Sequence, residues 1–144
     1  MLPPAKPYKT SLYLSCAWND RSAFRELVAL VQTCRDRGFR FDTFLLPEDH
    51  PAADADNERS LYEAVRGKMK FCQAVLIPAD APSAYSKWIN KEIIAATSEM
   101  NKPLIAVRTP DSGEPSLIVK QNADRIVGWD AEAVAQAILE LSAP

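Results

Sequence analysis

AVLIPADAPSAYSKWINKEIIAATSEMNKPLIAV, residues 74–107, is the stretch whose reading decides the fold. Ala74–Ile77 is apolar at every position, so it predicts a strand covered on both faces, as at the centre of a parallel sheet. Pro78 bounds it. A helix opens near Ser86, a natural N-cap residue, and runs to about Met100. Ile89, Ile93, Ala96 and Met100 form its packing stripe at spacings of four, three and four. Pro103–Val107 is a second apolar run of the buried kind. Strand, helix and strand in this order make a βαβ unit with a right-handed crossover.

The same alternation extends in both directions. Ser11–Cys16 reads as a strand, Asn19 and Asp20 as a capping pair, and Phe24, Leu27, Val28, Val31 and Cys34 recur at helical spacing. Gly38 stands where a helix C′ residue belongs. Phe39–Leu45 is a second strand, followed by a loop from Pro47 to Asp54, and a helix from Asn57 turns Leu61, Ala64, Val65 and Met69 inward. After Val107 comes a turn-rich segment from Thr109 to Pro115. A short helix over Ser116–Asn122, an edge strand at Arg125–Val127 and a helix over Ala131–Leu141 complete the chain. Strands alternating with helices of this length predict an α/β, flavodoxin-like three-layer fold. Its five-stranded, mostly parallel sheet has order 2-1-3-4-5, with helices on both faces. No linker or repeat interrupts it, so residues 1–144 are expected to form a single domain with its core at about 8–142.

Composition narrows the function. The chain has 144 residues, 17 Lys and Arg against 19 Asp and Glu, and a formal charge of −2. That balance leaves no basic footprint for nucleic acid. No apolar run is long enough for a membrane span, and the start MLPPAKPYK lacks the apolar centre of a secretory signal. The three cysteines, Cys16, Cys34 and Cys72, are odd in number and never spaced CxxC, which reads as reduced thiols and a cytoplasmic location. The single histidine, His50, falls in the loop after the second strand, so no metal site is expected. Eleven prolines against four glycines make the loops stiff. Pro47, Pro51, Pro78 and Pro82 fall around the carboxyl ends of the strands, where they would form a preformed rim.

In an open α/β sheet ligands bind outside the carboxyl ends of the strands, where the strand order reverses. With order 2-1-3-4-5 that crevice lies between strands one and three. The turn from Ser15 through Cys16 and Trp18 to Asp20 faces it, as does the Pro78–Tyr85 turn with the helix that follows. The loop after strand two, with Asp42, forms a side wall. Trp88 and Glu92, four residues apart, share a helix face displaced slightly from the packing stripe, and so flank the crevice. A tryptophan beside a carboxylate near a helix N-terminus offers an aromatic platform, a negative group and backbone donors. Each residue also has a plainer reading. Trp88 is a packing residue, Glu92 a solvated helix carboxylate paired with a lysine at about 0.3–0.5 kcal/mol, Trp18 a plug over the sheet, and Asp20 a cap. GxGxxG and GxxxxGK[ST] are absent, which removes the standard phosphate cradles. The acidic pair that a phospho-accepting receiver needs after strand one is absent too, since Ser15, Cys16 and Ala17 stand there.

The ordered set Ala74–Pro78, Ser86-Lys-Trp-Ile-Asn-Lys-Glu-Ile-Ile94 and Asn101-Lys-Pro-Leu-Ile-Ala-Val107 resembles the core of a Toll/interleukin-1 receptor (TIR) domain. With Phe39–Asp49 and the tail Asn122–Trp129, the chain is similar to the TIR-like proteins of bacterial Thoeris anti-phage defence over roughly residues 8–140. The S-x-W-x-x-x-E pattern after an apolar strand is the most specific element. The resemblance implies cleavage of NAD+ at the nicotinamide N-glycosidic bond, with Glu92 catalytic. Trp88 would line the same pocket, and Ser86, Ser15, Cys16, Trp18 and Asp42 are the further expected substrate-binding residues. Cys16-Ala17-Trp18 departs from the aromatic or basic pair that many TIR domains carry after the first strand's serine. NAD+ would be a substrate and no cofactor is implied. The product would be an ADP-ribose-derived signal, such as a cyclic isomer, that reaches a separate downstream effector. Self-assembly or a phage-derived trigger would activate the enzyme. Two other classes remain: a non-enzymatic TIR-like interaction module, and an enzyme like the nucleoside 2-deoxyribosyltransferases, which also set a glutamate against an anomeric carbon.

Overall fold

Alternating apolar positions on short strands, and apolar stripes on the helices between them, can be buried together only by layering helices on both faces of one sheet. The computed structural model describes residues 10–14, 21–44, 58–79, 92–108, 115 and 117–142. Its strands are β1 (Thr10–Leu14), β2 (Phe41–Phe44), β3 (Ala74–Pro78), β4 (Leu104–Val107) and β5 (Arg125–Val127). They pair in the order β2-β1-β3-β4-β5, and all four pairings are parallel. The helices are α1 (Arg21–Asp36), α2 (Glu58–Met69), α3 (residues 92–99), α4 (Leu117–Asn122) and α5 (Ala131–Leu141).

Each strand divides its side chains between two cores. Leu12 and Leu14 of β1 join Leu76, Ile105 and Val107 beneath Leu27, Leu30, Val31 and Cys34 of α1 and Val134, Ala135 and Ile138 of α5. Tyr13 points the other way. It joins Val75, Ile77, Leu104 and Ala106 beneath Val65 and Met69 of α2, Ile93, Ala95 and Ala96 of α3, and Val119 of α4. Every residue of β3 and β4 is buried, as the all-apolar runs predict. At about 1.5–3 kcal/mol for each fully buried large apolar side chain, these two cores are the main favourable term in folding. The result is the expected flavodoxin-like, three-layer α/β fold.

Local chemistry sets the element ends. Gly38 has φ 98°. Its N–H reaches the Arg35 carbonyl at 2.9 Å and the Phe39 N–H reaches the Cys34 carbonyl at 3.1 Å, a Schellman end to α1. Phe39 therefore closes the helix, and its ring stacks on Phe41 with centroids 5.7 Å apart. This corrects the expected start of β2 from residue 39 to residue 41. Arg35 donates from Nε to the Phe41 carbonyl at 2.6 Å, occupying an acceptor on the outer edge of β2. Asp130 caps α5 by accepting from the Ala133 N–H at 2.9 Å. Asp124 accepts from the Leu104 N–H at 2.7 Å, which fixes the start of β4 against the turn into β5.

The third helix departs from the regular α form that its spacing predicts. Ala95–Glu99 is a π turn, closed by the Met100 N–H on the Ala95 carbonyl at 3.0 Å and followed by Asn101 at φ 52°. Thr97 bonds back through its hydroxyl to the Ile93 carbonyl at 2.8 Å. Such side-chain competition loosens a regular helix. The capping pair Asn19–Asp20, the helix start at Asn57, His50, the prolines 47, 51 and 82, and the turn at 109–114 lie outside the described residues. No helix among the described residues is long and apolar enough to cross a membrane.

Gly38→Ala should cost about 1–2 kcal/mol in urea unfolding, because a Cβ disfavours positive φ although nothing lies within 4 Å of it. Cys34 and Cys72 are free and buried, and burial pushes the Cys72 thiol from 9.0 up to about 12. The unfolded thiol then ionises first, so its contribution to stability is complete below about pH 9 and is lost as pH rises toward 12. The stability advantage of the wild type over Cys72→Ala should shrink across that window, and Cys72 should resist alkylation at pH 8 until the protein unfolds.

Candidate functional site at the β1–β3 switch

The sheet order reverses between β1 and β3, which is where the carboxyl ends of strands diverge and leave a crevice. On β3 the N–H groups of Val75 and Ala79 point to β4, reaching the carbonyls of Pro103 and Val107 at 2.9 Å each. By strand alternation residues 74, 76 and 78 turn theirs toward β1. Pro78 has no N–H to give. The β1–β3 ladder, paired from Leu12↔Ala74 to Leu14↔Leu76, thus lacks its next donor from β3. A proline in a central strand, normally disfavoured, here marks the mouth of the crevice.

Glu92 reaches this region from α3. It is completely buried, and its Oε2 accepts a hydrogen bond of 2.8 Å from the Tyr13 hydroxyl. Tyr13, also without exposure, is the penultimate residue of β1. The carboxyl therefore lies against the carboxyl-terminal end of the strand beside the switch. The sequence reading set Glu92 at the rim, off the packing stripe, or in solvent beside a lysine. The structure corrects this. Glu92 shares a helix face with Ala95 and Ala96, three and four residues on, which have no exposure. Two alanines let the helix approach the sheet closely, and that approach carries residue 92 inward with them. A carboxyl so placed is costly unless hydrogen-bonded, and Tyr13 supplies a donor.

The rest of α3 is tied down around it. Ile93 is buried and Met100 packs on the same core as predicted, while Ile94 turns outward at 47% exposure. Arg66 of α2 meets Glu99 with Nε–Oε2 of 2.7 Å, and its guanidinium lies 5.8 Å from the Tyr62 ring centroid. Burial raises the Tyr62 pKa, and the nearby Glu99 carboxylate adds to the rise. This cluster fixes the end of the π turn to α2, about two helical turns beyond Glu92.

Asp42 belongs elsewhere. It was expected in the loop after strand two, yet it lies inside β2, opposite Ser11. That is one strand away from Tyr13 and two residues lower, roughly 7 Å along the strand. Asp42 lines a shallow cleft of about 360 Å³ with Arg35, Phe39, Arg40 and Phe41. Its position follows from the strand itself, which runs from Phe41 to Phe44 after the Schellman turn at Gly38. Ser15, Cys16, Trp18, Ser86 and Trp88 lie outside the described residues. Among the described residues no three His, Cys, Asp or Glu cluster as metal ligands. Tyr13 is the site residue that sequence reasoning missed. Its signal was present: a tyrosine between Leu12 and Leu14 on a strand covered on both faces needs a polar partner for its hydroxyl.

Comparison with known proteins bears on the fold and the family. No curated protein sequence matches the chain. Among solved structures, a Burkholderia pseudomallei K96243 protein described as pilus assembly-related superposes with TM-score 0.56 at 16% identity. The match covers 93% of this chain and 90% of that one, and it shows the fold alone. The metal-soaked Flv1 flavodiiron core from Synechocystis sp. PCC6803 gives TM-score 0.40 at 12% identity, over 92% of this chain and 35% of that one. At the sequence level residues 13–114, a span that includes both Tyr13 and Glu92, match the family described as Thoeris protein ThsB, TIR-like domain. The match extends over more than half of the chain, which therefore belongs to the Thoeris ThsB TIR-like domain family.

Proposed function

We propose that this chain cleaves NAD+ at the bond between nicotinamide and ribose, with Glu92 as the catalytic carboxylate. The observation that carries the reading is the position of Glu92: a completely buried carboxyl hydrogen-bonded to Tyr13 near the end of β1, the strand beside the switch. Nicotinamide in NAD+ is a cationic leaving group and departs without acid assistance. Positive charge then develops at the anomeric carbon, and a fixed carboxylate meets it. An ordinary glycosidase needs two carboxylates because its leaving group must be protonated. Here one is sufficient. Trp88 and Trp18 would stack on the flat rings and exclude water. Backbone donors at the Ser15–Asp20 turn and the Ser86 helix start would hold the phosphates, since the net charge of −2 supplies no strong field. The acceptor sets the product. Water gives ADP-ribose, and a nitrogen or hydroxyl of the same molecule gives a cyclic signal for a separate effector in cytoplasmic anti-phage defence.

The complete burial of Glu92 favours a second reading, a TIR-like module that signals by assembly and keeps this carboxyl as an internal hydrogen-bonding group. Product analysis by mass spectrometry after incubation with NAD+, with the protein concentrated and with its infection trigger present, separates the two. Glu92→Gln should lower nicotinamide release by about 10²–10³-fold, the usual loss when a fixed transition-state partner is removed. Its melting temperature should stay close to wild type, since the amide oxygen still accepts from Tyr13. Wild-type turnover in that variant would reject the assignment. No turnover by the wild type favours the module, and base exchange on a deoxynucleoside with NAD+ intact favours a deoxyribosyltransferase. Trp88→Ala should reduce turnover while costing less stability than the about 3–5 kcal/mol typical of a core tryptophan.

A further inference from the structure

Thr10 and Glu92 are the buried polar or charged residues among those described, and Glu92 is the carboxylate of the two. Nothing in the stability of an α/β sheet asks for that group. A buried polar pair replaced by apolar side chains of similar shape is often neutral or stabilising. The pair made with Tyr13 joins two elements 79 residues apart in sequence. It joins them at a defined height: Tyr13 is level with Val75 on β3 and Phe44 on β2, one residue below the last β1–β3 pairing. The aromatic ring spans the layer between sheet and helix, and its hydroxyl meets one carboxyl oxygen at 2.8 Å, within the range of good O–H···O geometry. Tyr13 itself sits in a rigid frame, paired on both edges of β1 and packed among Val65, Met69 and Val75.

On this basis we infer that Tyr13 is a positioning residue for the Glu92 carboxylate, holding Oε2 by its hydroxyl so that the carboxyl plane is fixed relative to the end of β1. The inference rests on the reading of Glu92 as the catalytic group. Glutamate has three side-chain torsions, and the last is broad, so without a donor the carboxylate samples many orientations. The phenol removes that freedom from the sheet side, while the π turn and the Arg66–Glu99 pair hold the helix carrying it. A carboxylate held this way meets developing charge without reorganising, and a misplacement of about 1 Å can cost 10²-fold in rate. Tyr13 touches no substrate in this scheme. Its effect belongs to the chemical step and leaves NAD+ binding alone.

The test is steady-state nicotinamide release by the full chain, assayed under the conditions that activate the wild type. Tyr13→Phe keeps the ring and removes the hydroxyl. It should lower kcat by about 10–100-fold, as loss of an orienting partner does, with KM for NAD+ within about twofold. Glu92→Asp keeps the charge but withdraws the carboxylate from the phenol, and should show the same kcat-specific loss. Tyr13→Phe placed on Glu92→Gln should add nothing to the loss already made. Val134→Ala, in the core on the opposite face of the sheet, serves as the packing control. It should lower the melting temperature and leave kcat at wild-type level. A wild-type kcat in Tyr13→Phe or in Glu92→Asp, with Glu92→Gln inactive, overturns the role of Tyr13 and leaves that of Glu92 standing. Equal kcat losses in Val134→Ala and Tyr13→Phe overturn it as well. Wild-type turnover in Glu92→Gln, or none in the wild type, removes the catalytic reading and this inference with it.

Discussion

β3 is buried at all five residues because it has neighbours on both edges and a helical layer on each face, and most of the remaining architecture follows from that position. A strand covered on both faces must be apolar throughout, and its parallel neighbours must be reached by right-handed helical crossovers. β1 on one side and β4 on the other are therefore drawn into the same pair of cores, with Leu12 and Leu14 on one face and Tyr13 on the other. The order reverses at β1–β3, so the helices after these two strands leave toward opposite faces: α1 packs in one core and α3 in the other. Pro78 adds the local chemical detail. By giving no N–H toward β1 at the carboxyl end of β3, it ends the ladder where the chain has to open.

Sequence order and strand pairing were legible because they depend on long-range patterns that survive local errors. The runs at Ala74–Ile77 and Pro103–Val107 are apolar at every position, and no solvent-exposed element is written that way. The α5 boundaries at Ala131 and Leu141 agree as predicted, with Asp130 as a true cap. Less legible were features decided by a few hydrogen bonds. The chemistry of Phe39 suits a strand, yet the Schellman end at Gly38 claims it for a turn, and β2 starts at Phe41. The π turn at Ala95–Glu99 left no periodic trace, since Ile93, Ala96 and Met100 keep their inward positions in either helix form.

The candidate site shows the same division. Glu92 was identified by a spaced motif, while its environment was misjudged. Helical angle alone put it beside the packing stripe, and the difference between beside and within is the size of its neighbours. Ala95 and Ala96 bring backbone close to the sheet, so a residue that a bulkier helix face would leave at the rim is enclosed. Tyr13 was overlooked for a related reason. Strand periodicity reports which face a residue occupies and is silent about what its hydroxyl meets across the layer.

A buried carboxyl beside a crevice carries opposite consequences for folding and for chemistry. Low polarity raises the cost of holding a negative charge, and for the same reason it strengthens whatever that charge does to a cationic centre. In a chain with a net charge of −2, the surface pairs here, such as Arg37–Glu132 at 3.7 Å between half-exposed side chains, are screened and contribute little. They cannot focus charge on a substrate. Among the described residues Glu92 is the carboxylate from which solvent is excluded, with a donor held by the sheet. On the proposed reading, an oxocarbenium-like centre brought to Glu92 would meet a short-range anion held in place by the sheet. That arrangement, on the same reading, would favour developing positive charge over a substrate's standing charges.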